Sequence, residues 1–415
     1  MLYRIPYYYS QFACIGSACE DTCCRGWKIG IDVESCHKYR QVPGEFGRRL
    51  RQDIDWKLRC FRLKDRACRF LDDQGLCQIY RELGKDAMCR ACRTYPRHRE
   101  DYGDVQEVML SLSCPEAARV ILRDATQGAC MERQKPEGGS SLEPDNGRLR
   151  QKCRRPGPAC REDPVCDPRM LRLLTEARLT MICLMKDRAI PWSQRLAMIL
   201  AYAHDVQRVL DPSSPGDDPG KRIERWNRRY LDEAAVPAFS EKLKPYEGRA
   251  RERRIRVCAW MRSLQRLEPV LEDWEKKQGR ICTVLYHKES LASYEALEQS
   301  FRQEAGKMGQ AWENLVLYFL RTWVLGGVYD GDLYGKVKLA VVSCIIIREW
   351  CLFRYQRTGH IREEDLVAAA YRYSRQVENS DDNLELLEHL MADSPLYSLS
   401  SMLTVLCGGK ENHGN

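Results

Sequence analysis

The placement of cysteine constrains this chain more than any other feature. Eleven of its 21 cysteines fall between Cys14 and Cys114, and four of those lie within Cys14-Ile15-Gly16-Ser17-Ala18-Cys19-Glu20-Asp21-Thr22-Cys23-Cys24. A second set follows at Cys68, Cys77, Cys89, Cys92 and Cys114. A lone C-x2-C carries little information, but a tight quartet followed by spaced partners within one small segment points to shared ligation. The opening Met-Leu-Tyr-Arg-Ile-Pro-Tyr-Tyr-Tyr lacks the basic and apolar regions of a signal peptide. The most apolar later run, Leu339 to Ile347, is far short of the ~20 residues of a membrane span. The chain is therefore expected to stay in the cytoplasm, where thiols are kept reduced and disulfides are rare. There, so many clustered thiols are expected to hold a metal.

Spacing leaves the metal open. Thiolates suit both zinc and iron–sulfur clusters. Structural zinc favours four ligands in short-spaced pairs. Cluster ligation uses cysteine almost alone, in compact runs with a distant partner. Histidine is sparse, with only His37 and His98 nearby. The arginines of Cys92-Arg93-Thr94-Tyr95-Pro96-Arg97-His98 read equally as cations offsetting a cluster and as a solvated basic turn.

The expected fold class is mainly α, with a small cysteine-rich metal-binding N-terminal domain followed by an all-helical C-terminal domain. Residues 1–125 form the first. Residues 126–167 read as a linker or insertion, because Lys135 to Asn146 is rich in Gly, Ser, Pro and charge. Cys153, Cys160 and Cys166 in that stretch read as stray thiols rather than a second site. Residues 168–415 carry helical periodicity. Trp192, Leu196, Ile199, Leu200, Ala203, Val206 and Leu210 mark one helix face, and Trp312, Leu315, Val316, Phe319, Leu320 and Trp323 another. Gly326-Gly327 is expected to end the latter. Leu339 to Phe353, apolar nearly all round, predicts a central buried helix, with further helices at 365–377 and 383–391. Cys183, Cys258, Cys282, Cys344, Cys351 and Cys407 are expected to pack in that helical core.

The net charge of +8, from 67 basic and 59 acidic side chains, does not require a nucleic-acid partner, and no segment reads as a nucleic-acid module. No glycine-rich nucleotide loop, nucleophile elbow or H-E-x-x-H motif is present. From residues alone, the chain is a cysteine-rich metal domain joined to a helical domain, with no reaction assigned.

Several motifs then add a resemblance. Phe12-Ala13-Cys14, Cys19-Glu20-Asp21-Thr22-Cys23-Cys24-Arg25-Gly26-Trp27, Cys68-Arg69-Phe70-Leu71, Gly75-Leu76-Cys77-Gln78-Ile79-Tyr80, Cys92-Arg93-Thr94-Tyr95-Pro96-Arg97 and Leu112-Ser113-Cys114-Pro115-Glu116-Ala117-Ala118 resemble, in order and approximate spacing, the FliB-type flagellin lysine-N-methylase family. Val377 to Leu387 resembles that family's C-terminal region. A broader group of small metal-chelating domains shares the cysteine pattern. The resemblance implies methyl transfer from S-adenosylmethionine to the ε-amine of surface lysines on flagellin. It also implies an iron–sulfur cluster, of the 4Fe–4S kind, with zinc as the alternative. The implied ligands are Cys14, Cys19, Cys23, Cys24, Cys68, Cys77, Cys92 and Cys114. Cys36, Cys60 and Cys89 look additional, and Cys130, Cys153, Cys160 and Cys166 fall where the resemblance fades.

Such chemistry needs a deprotonated lysine, whose ordinary pKa is about 10.4. It also needs a donor held in line and a sulfonium pocket of aromatic faces or carboxylates. Trp27, Tyr95 and Asp32 are candidates for that pocket, against a reading as packed structural residues. The cysteine spacing differs from the C-x3-C-x2-C run of radical enzymes, so no radical step is invoked. The competing reading is a non-catalytic, metal-dependent binding or assembly protein.

Overall fold

The computed structural model describes residues 1–134, 166–213 and 215–409. Strand β1 (Leu2–Pro6) lies between β3 (Val105–Leu110), its parallel neighbour, and β4 (Cys130–Gln134), which runs antiparallel to it. β2 (Arg97–Asp101) pairs antiparallel with β3, so the sheet order is β2-β3-β1-β4. Periodicity did not announce this sheet. β3 is buried on both faces at all but its first residue, so no polar and apolar alternation marks it. The boundary expected at residue 125 therefore falls ahead of a strand that completes the sheet. The stretch Lys135 to Asn146, together with Cys153 and Cys160, lies outside the described residues.

Between β1 and β2 the chain forms short helices and two-residue ribbons around a small core of its own. α1 (Val33–Gln41) starts at Asp32, whose carboxylate accepts the Ser35 N–H at 2.9 Å. α2 (Arg90–Thr94) starts at Cys89, and α3 (Pro115–Leu122) at Cys114. The small core gathers Ile29, Ile31, Tyr39, Leu50, Phe61, Phe70 and Ile79 with Cys24, Cys36, Cys68 and Cys89.

The rest of the described chain is helical. Its main members are α4 (Pro168–Lys186), α5 (Trp192–Leu210), α6 (Ala250–Leu264), α7 (Leu291–Gly306), α8 (Gly309–Trp323), α9 (Leu333–Thr358), α10 (Glu363–Glu378), α11 (Asp381–Asp393) and α12 (Leu399–Cys407). α9 is the central helix expected from the sequence and packs against α5, α8, α10 and α11. Its β-branched run Val341, Val342, Ile345, Ile346 and Ile347 is buried throughout, so burial outweighs weak intrinsic helix propensity there. Asp332 caps its start by accepting the Gly335 N–H at 2.7 Å. Gly326-Gly327 does not end the path of α8. The chain continues through two short helical turns, and Gly331 (φ +74°) closes them in the left-handed conformation. Cys258, Cys282, Cys344, Cys351 and Cys407 are buried as expected, but Cys183 is exposed on the outer face of α4.

The sheet is joined to the helices by a buried ion pair. Arg178 on α4 holds the Glu107 carboxylate of β3, with Nη1 to Oε2 at 2.7 Å. The large apolar core accordingly runs from Tyr8 and Phe12 through Leu110 and Leu112 into the helices. No helix among the described residues is long and apolar enough to cross a membrane.

Candidate functional site

The predicted thiols come from segments stitched together by backbone hydrogen bonds. The Cys68 N–H donates to the Cys24 carbonyl at 2.7 Å, and Arg25 bridges to Ala67. Leu71 bridges to Cys77, and the Gln78 N–H donates to the Phe70 carbonyl. Trp27 Nε1 donates to the Cys23 carbonyl at 2.9 Å. Asp32 does double duty. Beyond capping α1, its Oδ2 accepts the Arg90 N–H at 2.8 Å, which fixes the start of α2 next to Cys89. These bonds bring Cys23, Cys24, Cys68, Cys77, Cys89 and Cys92 into mutual electrostatic reach.

Cys23 and Cys24 perturb each other's ionisation, as do Cys89 and Cys92. Cys23 also faces Cys114, which in turn faces Cys19, with Cys14 beyond. Sequence reasoning set Cys89 aside as additional, yet it is among the most buried members of this group. The signal that could have found it is the Cys89-x2-Cys92 pair itself. Cys36 is buried but turns its thiol to the Ile31 carbonyl at 3.8 Å. Cys130 lies elsewhere, on β4, where Arg321 reaches its sulfur at 3.2 Å.

Burial pushes the Cys68 thiol up to about 12 and Cys114 up to about 11. Cys23 is raised by the neighbouring Cys24 thiol and then by desolvation, and Cys92 by the Cys89 thiol and then by desolvation. Cys89, the other member of that pair, is lowered. Cys77, Cys89 and Cys114 each occupy the N-cap of a helix, where the backbone N–H groups of the first turn pull the thiol pKa down without a direct side-chain capping bond. Helix N-termini favour thiolate. The group thus combines sulfurs whose ionisation is prepared by the backbone with a burial that resists it, and a cation bound among them would resolve that conflict.

Among the described residues, no three Cys, His, Asp or Glu side chains stand as a preformed metal cage. The donor chemistry nonetheless fits a thiolate-bound centre: the sulfurs are soft and numerous, and Cys24, Cys68, Cys89 and Cys114 are buried.

Arg375 on α10 is a residue beside the thiols that sequence reasoning missed. Its buried guanidinium pairs with Asp21 Oδ2 at 2.6 Å and donates to the Thr22 carbonyl at 3.2 Å and the Ser113 carbonyl at 3.1 Å. It therefore grips the backbone beside Cys23 and beside Cys114 at once, and its charge favours the thiolate of Cys23. One turn on, Glu378 accepts from Ser111 Oγ at 2.9 Å, and Tyr318 OH accepts the Leu112 N–H at 3.0 Å. The helical body thus places the loop that carries Cys114.

Arg97 stacks over Phe12, 4.8 Å from the ring centre, and Arg93 reaches the Asp86 carbonyl at 3.5 Å. Trp27 and Tyr95 pack against each other at 6.0 Å, and Tyr95 OH is bonded to Ser113 Oγ at 3.0 Å. With Asp32 a cap, all three candidates for a sulfonium pocket are engaged in structural contacts.

Comparison with known proteins adds the family. The model described as the FliB lysine N-methylase C-terminal domain matches residues 178–405. A lysine-N-methylase of Salmonella typhimurium is 33% identical over 137 residues, which is 31% of this chain and 34% of that protein. The flagellar biosynthetic protein FliU of Salmonella muenchen is 33% identical over 138 residues, 31% of this chain and 82% of that protein. The chain thus spans about a third of the length of the curated lysine-N-methylases it matches. No solved structure matches.

Proposed function

The chain belongs to the FliB lysine N-methylase family, and from that membership we propose that it transfers the methyl group of S-adenosylmethionine to the ε-amine of lysines on flagellin, in the cytoplasm. The observation that carries this reading is the family match over the helical half, and the flagellar name of one relative supports the choice of acceptor. In the step, the neutral lysine amine attacks the methyl carbon as the carbon–sulfur bond breaks. S-Adenosylhomocysteine leaves, and the methylammonium so formed releases one of its two N–H protons to solvent. A lysine with an ordinary pKa of about 10.4 is mostly charged at neutral pH, so the site must favour its neutral form.

In the same proposal an iron–sulfur cluster, of the 4Fe–4S kind, occupies the thiol group. Cys14, Cys19, Cys23, Cys24, Cys68, Cys77, Cys92 and Cys114 would hold it. When bound, such a centre supplies metal–thiolate bonds whose binding energy becomes folding energy for the small domain. The protein's own residues prepare the place. Asp32 orients α2, the three helix N-caps favour thiolate, and Arg375 offsets negative charge while tying the site to the helical body.

The test is transfer of labelled methyl from S-adenosylmethionine to purified flagellin by anaerobically prepared full-length protein. Label on flagellin lysines is the expected result. Its absence with metal-replete protein would overturn the enzyme reading in favour of a non-catalytic assembly role. Iron with inorganic sulfide is expected in the same sample, and stoichiometric zinc without sulfide would overturn the cluster assignment.

A further inference from the structure

Away from the N-terminal thiol group, one pair of cysteines in the helical body sits beside basic side chains. Cys258 lies on α6, and Cys282 opens a π-helical turn, Cys282–Lys288, that packs against that helix. Such turns are rare and recur at functional sites. Cys282 Sγ stands 3.9 Å from the Cys258 carbonyl oxygen. Cys258 Sγ stands 3.9 Å from Nε2 of His287, on the same π-helical turn. Arg262, one turn further along α6, donates to that same nitrogen at 2.8 Å. Both cysteines are buried, whereas Arg262 and His287 are exposed. Cys258 therefore lies just beneath the surface, next to an imidazole and a guanidinium.

This setting differs from that of the other buried cysteines in the helical core. On α9, burial pushes the Cys344 and Cys351 thiols up. Cys258 is instead held below the ordinary 9, by the neighbouring Cys282 thiol first and, against burial, by Arg262 and His287. Cys282 is raised, by Cys258 first and then by burial. One member of the pair thus favours the charge and the other keeps the proton. The thiolate is the nucleophilic form of cysteine, and neighbouring cations sustain it. An ionised thiol poised next to a second thiol is the arrangement found in redox-sensitive pairs.

We propose that Cys258 and Cys282 form a peroxide-reactive dithiol site, in which Cys258 attacks the oxidant and Cys282 resolves the product into a disulfide. The oxidant class is a small hydroperoxide, here hydrogen peroxide. The Cys258 sulfur attacks one peroxide oxygen as the O–O bond breaks. The sulfur is oxidised to a sulfenic acid, and the other oxygen leaves as hydroxide and takes a proton from solvent to become water. Loss of the charge on Cys258 removes the main influence that kept Cys282 protonated. Cys282 then gives up its proton and attacks the Cys258 sulfur. The S–S bond forms, the S–O bond breaks, and the departing hydroxide takes that proton and leaves as water. The bridge would tie together two elements that already share a partner, since Arg253 of α6 and Tyr286 of the π-helical turn each donate to Glu349 of α9 at 2.7 Å.

The test is brief exposure of anaerobically prepared full-length protein to hydrogen peroxide, followed by alkylation with iodoacetamide and peptide-resolved mass spectrometry. The exposed Cys183 on α4 is the internal reference. A linked Cys258–Cys282 peptide should appear about tenfold faster than Cys183 is oxidised. Cys282→Ser should abolish the link and leave a sulfenic acid on Cys258 that dimedone captures. Arg262→Gln and His287→Gln, both at exposed positions, should slow oxidation of Cys258 several-fold with the melting temperature unchanged. If wild type forms no linked peptide, or if Cys258 is oxidised no faster than Cys183, the assignment falls. An unchanged rate in both surface variants would also overturn it, because Arg262 and His287 would then not be what makes Cys258 reactive.

Discussion

The two cores of this molecule are built by different means. In the small N-terminal core, four of the twelve buried members are cysteines: Cys24, Cys36, Cys68 and Cys89. The helical core is filled instead by Leu, Ile, Val and large aromatics, with α9 buried almost end to end. A thiol buries less apolar surface than leucine or isoleucine, and small cores rarely stabilise themselves without a staple. The contrast teaches that cysteine has two meanings in one chain. On α9, Cys344 and Cys351 act as small hydrophobes, while around Cys23 the thiols crowd together at a cost that a bound cation would remove.

The largest expected effect tests that contrast directly. Cys23→Ser, Cys24→Ser and Cys114→Ser should each strip or destabilise the metal centre, and the N-terminal region should lose protease resistance. Cys89→Ser should behave like these three, because Cys89 sits inside the group. Cys344→Ser and Cys351→Ser should cost about 1–3 kcal/mol for an unpaired buried hydroxyl and leave metal per folded molecule unchanged. Iron per protein across the six variants is the measurement. Equal metal loss from the α9 pair would mean that the two cores are not distinct in this way.

A second, smaller effect probes how the cores are joined. Arg375→Met removes a buried cation and leaves Asp21 and the Thr22 and Ser113 carbonyls without their donor. Breaking a buried pair in this manner costs roughly 3–5 kcal/mol, with Asp21's partial exposure favouring the lower end. Loss should appear at the thiol region first, as faster metal release to a chelator, before the helical melting transition moves. Arg375→Lys should rescue only in part, since a point charge cannot serve three acceptors in a fork. Unchanged metal release in Arg375→Met would show that the helical body does not position the centre.

Much of the helical body was legible because its signal is local. The Trp192 to Leu210 stripe and the apolar run of α9 are periodic, and the structure places helices on both. The turn after α8 was misplaced because two adjacent glycines look like a stop. The residue that needs the left-handed conformation is Gly331, and nothing in the spacing distinguishes it. The sheet was missed because β3 buries both faces, including Glu107, which is tolerable only with Arg178 supplied from α4. The same limit applies at the site. Local motifs revealed most of the thiols, but Arg375 acts across more than 250 residues of sequence. Such long-range pairings leave no spacing to read.

The smallest expected effect concerns the same joint and depends on pH. Glu378 is half-buried, and its carboxyl is raised above the ordinary 4.5 because desolvation outweighs the bonds it accepts from Ser374, Tyr318 and Ser111. The folded state therefore keeps this proton at pH values where the unfolded chain has released it. The resulting stabilisation is fully present below pH 4.5 and is lost as pH rises through the raised folded value. Glu378→Gln removes the titration while keeping the shape. The glutamine oxygen can accept from Tyr318 and Ser374, and its amide can donate to Ser111 Oγ, which is then free to donate to Ser113 Oγ, 2.7 Å away. The variant should match wild type in acid and exceed it modestly at pH 7, as read by urea midpoints across that range. A glutamine variant weaker than wild type at pH 7 would mean that the ionised carboxylate itself holds the Ser111 to Cys114 loop. The joint between the two cores would then be ionic on both of its α10 side chains rather than at Arg375 alone.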